Sequence, residues 1–152
     1  MNLNTTIQNI TFLTGRYAAL REIFKGFHAH IESQLKSDQY EHWNIQVSDA
    51  IELNEFVIEI AGREILFIFD IEPDDTESYL GSITAYIADD YFDEVTNEIV
   101  SFTFNGTGIA EELTGLEDPV NLKIDTHCLN VVLDICLSVF QMNEEYSELL
   151  SE

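Results

Sequence analysis

Apolar positions in the first part of the chain recur with a helical period. Ile10, Leu13, Tyr17, Leu20, Phe24, Phe27 and Ile31 are separated alternately by three and four residues, which puts their side chains on one stripe of an α-helix. The spacing predicts a helix over residues 4–36. A mean period near 3.5 also suits a coiled-coil seam. Two uses therefore stay open: the helix lies on its own domain's sheet, or Ile10, Leu13, Tyr17, Leu20, Phe24 and Phe27 form the seam of a homodimer.

From Trp43 the period shortens to two. Trp43, Ile45 and Val47 alternate with Asn44, Gln46 and Ser48, as in a half-exposed strand. Phe56, Ile58 and Ile60 alternate with Glu55, Val57 and Glu59. Gly62-Arg63 then breaks the run, with glycine first as in a type II′ hairpin turn. The return strand, Ile65 to Ile71, is apolar on both faces, which predicts a central position in the sheet. Tyr79 to Ala88 reads as a further strand with Ile83, Ala85 and Ile87 on one face. Ile99 to Phe104 alternates again. Residues 89–97 fit a loop or a short helix, and Ile109 to Gly115 fits one or two helical turns. A last helix is expected behind Asp125 or Thr126 as N-cap, with Leu129, Val132, Leu133, Cys136, Val139, Phe140 and Leu150 at helical spacing. The expected fold class is α+β in one domain over 1–152. A long N-terminal helix, four to five antiparallel strands and a C-terminal helix follow in order, both helices on one sheet face.

Charge changes this picture from an ordinary domain to an unusual one. Twenty-nine acids face six bases, a net charge of −23, where a magnitude of roughly 2–8 suits a small soluble domain. The imbalance is not uniform. Residues 1–40 carry Arg16, Arg21, Lys25 and Lys36 against Glu22, Glu32 and Asp38, a net +1. The remainder carries Arg63 and Lys123 against all other acids, a net −24. Aromatics at 11% and only two prolines separate the chain from disordered acidic tails. Direct binding of nucleic acid is excluded as an expectation, because phosphate contacts need clustered Lys and Arg. Anionic membrane surfaces are excluded on the same ground. The first ten residues lack the charged and apolar regions of a secretory signal, so the chain reads as cytoplasmic.

Motifs for chemistry are weak. Asp70, Glu72 and Asp74 begin like a calcium loop, but its sixth and twelfth positions are Asp75 and Gly81 instead of Gly and Glu. His127 beside Cys128 has no companion cluster for zinc, and adjacent helical positions diverge by about 100°. Cys128 and Cys136, eight residues apart in one helix, are ~12 Å apart and cannot pair with each other. No metal, cofactor or catalytic residue is assigned. The expected site is instead a carboxylate track, Glu72, Asp74, Asp75, Glu77, Asp89, Asp90, Asp93, Glu94 and Glu98. Alternate strand positions lie ~6.6–6.8 Å apart, close to successive phosphates. In a helix over 89–97, Asp90, Asp93, Glu94 and Glu98 would share one side. The expected function is an acidic inhibitor that occupies the nucleic-acid-binding surface of a basic protein, as phage anti-defence DNA mimics do. The alternatives are an immunity protein or antitoxin against a basic toxin, and a dimeric acidic chaperone or assembly subunit.

Overall fold

In the computed structural model, which describes residues 2–48, 54–75, 78–88, 97–111 and 119–151, the chain starts with a 33-residue helix, α1 (Leu3–Leu35). The side chains of residues 97 and 142–151 lie outside that description. Asn2 caps α1, its side-chain oxygen accepting from the Asn4 amide at 2.9 Å. A five-stranded antiparallel meander follows: β1 (Gln46–Val47), β2 (Glu55–Ile60), β3 (Arg63–Pro73), β4 (Tyr79–Ile87) and β5 (Asn97–Phe104). The strands sit in chain order, so β3 is central, as its two-sided apolar run requires. A small ribbon of β6 (Ile109–Ala110) and β7 (Val120–Asn121) leads into α2 (Asp125–Ser151).

One sheet face builds the core. Cross-strand partners Phe56 and Phe67, Ile58 and Ile65, Phe69 and Ile83, Ile83 and Phe102 all point the same way, and all are buried. Onto them α1 lays Leu20, Phe24, Phe27 and Ile31, each at 0% exposure. The Phe24 ring contacts Phe56 and Phe69 at 5.6 and 5.3 Å between centroids. From α2, Leu129, Val132, Cys136 and Val139 join the same cluster beside Phe102 and Phe104. The helical stripe of α1 is therefore consumed from Leu20 onward by its own domain. Tyr17 is drawn in too: its ring lies 5.8 Å from Phe69 and its hydroxyl accepts from Asn54 Nδ2.

Several local expectations change. Ala61 and Gly62 form the β2–β3 turn, with φ of +50° and +82°; two left-handed residues define type I′ instead of type II′. Trp43 belongs to a 3-10 turn (Glu41–Trp43), and β1 shrinks to two residues. Ile109 and Ala110 pair with Asn121 and Val120 as a ribbon, not a helix. The helical alternative over 89–97 lies outside the described residues up to 96, and Asn97 already begins β5.

Gly81 faces Phe104 across β4 and β5. A Cβ there would land on the Phe104 ring, with Cε1 at 2.6 Å. Phe104 is buried at 1% exposure and has no room to retreat. Gly81→Ala is expected to cost about 1–3 kcal/mol by overpacking, measured as a lower urea midpoint with an unchanged slope.

Candidate functional site

The second face of the sheet carries no helix among the described residues, and its composition follows from strand register. Residues opposite each other share a face, so Glu55, Val57 and Glu59 of β2 align with Ile68, Leu66 and Glu64 of β3. Leu66, Ile68, Asp70 and Glu72 align with Tyr86, Thr84, Ser82 and Leu80 of β4. Thr84 and Tyr86 align with Ser101 and Glu98 of β5.

These rows place apolar groups in the middle and acids at the margin. Val57, Leu66, Ile68 and Tyr86 form a half-buried centre. Glu59 and Glu64 stand directly opposite each other at one end. Asp70 and Glu72, both exposed, lie at the other end. Glu55 marks the β2 side and Glu98 the β5 side. No Lys, Arg or His occurs among the described residues of this face. Arg16, Arg21, Lys25 and Lys36 belong to α1 and its end, Arg63 to the core-facing register of β3, and Lys123 to the turn before α2. The charge asymmetry of the sequence thus becomes an asymmetry between two sides of a sheet.

Glu98 reaches this face through a β-bulge. Val100, Phe102 and Phe104 are core-facing, and an unbroken strand would turn Glu98 the same way. The register instead shifts between Ala85 and Tyr86, so that Ala85 meets Val100 while Tyr86 meets Glu98. The extra residue, Ile99, swings Glu98 out to solvent.

Of the expected track, Glu72 and Glu98 belong to this face, and Asp74 and Asp75 follow Glu72 in the β3–β4 connection, where the Asp74 amide donates to Ser78 O at 2.9 Å. Glu77, Asp89, Asp90, Asp93 and Glu94 lie outside the described residues. Glu55, Glu59, Glu64 and Asp70 share the face without belonging to that track. Their signal was present, since Glu55 and Glu59 alternate with Phe56 and Ile58, but the alternation alone does not say that Glu64, Asp70 and Glu98 share that side. The arrangement among described residues is a rim around an apolar patch, not a line.

His127, Cys128, Cys136 and His30 serve the fold. His127 Nδ1 accepts from the Asn121 amide at 3.0 Å, while Cys128 Sγ donates to Leu122 O at 3.1 Å. The two side chains therefore serve separate backbone groups. Burial pushes the Cys136 thiol up to about 12. Burial, aided by the negative charge of Asp125, does the same to Cys128. Both thiols stay protonated at neutral pH, which disables them as nucleophiles. No reaction with a thiol-specific chromogen at pH 8 is expected until denaturant is added, when both should react. Because the folded values lie above the usual 9.0, this protonation stabilises the fold fully below pH 9 and fades as pH rises toward 12. His30 Nδ1 donates to Asp125 Oδ1 at 2.6 Å, pinning the start of α2 to α1.

Among the described residues, no three His, Cys, Asp or Glu side chains gather in a group able to hold a metal ion. No described helix is long and apolar enough to cross a membrane. The chain matches no protein-family model, and no curated protein or solved structure is significantly similar to it.

Proposed function

We propose that this protein is an acidic inhibitor that docks its helix-free sheet face onto the Lys/Arg surface of a nucleic-acid-binding protein and so displaces the nucleic acid. The observation that carries this reading is the rim of Glu55, Glu59, Glu64, Asp70, Glu72 and Glu98 around Val57, Leu66, Ile68 and Tyr86, without a base on that face among the described residues. An apolar centre with a charged margin is the anatomy of a protein interface, where the centre supplies affinity and the rim supplies orientation and speed. A purely solubilising face has no use for half-buried Leu66 and Tyr86 at its middle. The net charge of −23 steers a basic partner from a distance and repels nucleic acid itself. The reading places the protein in the cytoplasm, acting by binding and not by catalysis.

The apolar centre also favours a second reading, an immunity protein or antitoxin with one dedicated basic toxin as partner. The experiment for both is affinity capture from host lysate at low salt, elution by a salt gradient, and competition with DNA and RNA. Capture of one basic protein that nucleic acid displaces supports the inhibitor. Capture of one basic protein that nucleic acid leaves in place supports the second reading. Capture of many basic proteins in proportion to their charge overturns both.

A further inference from the structure

The first three to four turns of α1 extend past the part of the helix that the core consumes. Leu3, Ile7 and Ile10 are 71%, 53% and 52% exposed, although each is large and apolar. Their spacing of four and three residues puts them on one stripe, which Thr14 continues. That stripe prolongs the edge of the core-facing line beyond the sheet: Ile10 stands two turns before Tyr17 on nearly the same side of α1, and it is exposed where Leu20, Phe24 and Phe27 are buried. The threonines beside it present little polarity. Thr6, Thr11 and Thr14 spend their hydroxyls on the carbonyls of Asn2, Ile7 and Ile10, at 3.2, 2.8 and 2.9 Å, which leaves their methyl groups as the outward chemistry. Residues 2–15 contain no charged side chain at all, in a chain carrying 29 acids.

We propose that this stripe pairs two copies of the chain, helix against antiparallel helix, about a two-fold axis at Ile7. The occupant follows from charge. Two bodies of −23 repel each other wherever their acidic surfaces meet, and this charge-free stripe is a place where they can touch without bringing carboxylates together. It follows also from self-complementarity: in an antiparallel crossing centred on Ile7, Leu3 of one copy falls within one residue of Ile10 of the other, so the same patch serves both. The stripe from Leu3 to Thr14 spans ~17 Å of helix. A strip of that length and about one helix diameter wide offers roughly 200 Å², well short of the ~800 Å² per partner typical of a stable interface, so the dimer is weak, with a dissociation constant on the order of 10–100 µM. Its salt dependence is opposite to that of an acid–base interface. Added salt screens the mutual repulsion and tightens the dimer, whereas it loosens capture of a basic partner. The pairing also leaves both acidic sheet faces outside the seam.

Sedimentation equilibrium of the full chain, from about 1 µM to about 1 mM and at roughly 0.05 and 0.5 M salt, tests this. Dimer formation is expected, tighter by at least about tenfold at the higher salt. Ile7→Glu, at an exposed position that leaves the core intact, is expected to return the protein to monomer with unchanged thermal stability. In a parallel test, Ile7→Cys should form an intermolecular disulfide under mild oxidant, while Thr5→Cys, exposed and about 160° round α1 from Ile7, should not. The native thiols are buried and do not interfere. A monomer at every concentration and salt overturns the proposal, as does a dimer that Ile7→Glu leaves unchanged.

Discussion

Replacing Glu55, Glu59, Asp70 and Glu72 together by their amides is expected to weaken binding of the basic partner roughly 10- to 1,000-fold at low salt and to flatten its salt dependence. The loss should appear mainly as slower association, because rim charges act on the approach more than on the docked contact. The same variant should be more stable than the parent. Glu59 and Glu64 face each other across β2 and β3, and like charges opposite in a sheet destabilise it by roughly 0.2–1 kcal/mol. Removing four charges from the face also relieves part of the repulsion within a −23 body. A variant that gains stability while losing its partner is the signature of charges kept at the expense of the fold. Binding kinetics by surface plasmon resonance and urea denaturation of the same preparation read both quantities. Unchanged affinity would remove the sheet face from the proposed function. A lower urea midpoint would mean that the carboxylates are engaged in stabilising contacts of their own.

Phe56→Ala is expected to have the largest effect on folding. Phe56 is 1% exposed and is the meeting point of the aromatic core. It stacks on Phe67 at 5.0 Å and 10°, and touches Phe24, Phe27 and His28 of α1 at 5.6, 6.0 and 5.0 Å between ring centroids. Truncation removes the buried ring and leaves a cavity that the sheet and α1 cannot both close, at about 3–5 kcal/mol. Against a typical total of about 5–15 kcal/mol, that is a large share. For a domain of this size it should lower the melting temperature by roughly 6–20 °C, measured by circular dichroism. His28 is held at this junction, its Nε2 2.7 Å from Ser48 O, so loosening of Phe56 should also free the β1 end of the sheet. A shift of only one or two degrees would show that the aromatic cluster repacks around the gap.

The order of elements was legible from period alone. The change from 3–4 spacing over Ile10 to Ile31 to alternation over Glu55 to Ile60 separates helix from strand, because each reflects how often a backbone returns a side chain to the same side. The central place of β3 agrees with its apolar run, although only Ile65, Phe67 and Phe69 are buried, while Leu66 and Ile68 stay half-buried on the face that carries no helix among the described residues. Charge placement was legible only in outline. The sequence separates a nearly neutral first segment from an acidic remainder, yet local acidity points to the turns around Asp74 and Asp89 and not to Glu55, Glu59, Glu64 and Asp70.

Tertiary structure decided three things. Register and the bulge at Ile99 decided which acids share a face, because a one-residue slip exchanges the two sides of a strand, and local alternation cannot reveal a slip set by the neighbouring strand. Packing decided how α1 is divided. The seam was continuous in sequence from Ile10 to Phe27, but the sheet is only wide enough to bury it from about Tyr17 onward, and Ile7 and Ile10 remain outside. The β2–β3 connection decided its own turn type, because the right-handed twist of the strands it joins selects a left-handed Ala61-Gly62 pair. Composition and period settle what each segment is; which residues end up side by side depends on contacts between segments distant in the chain.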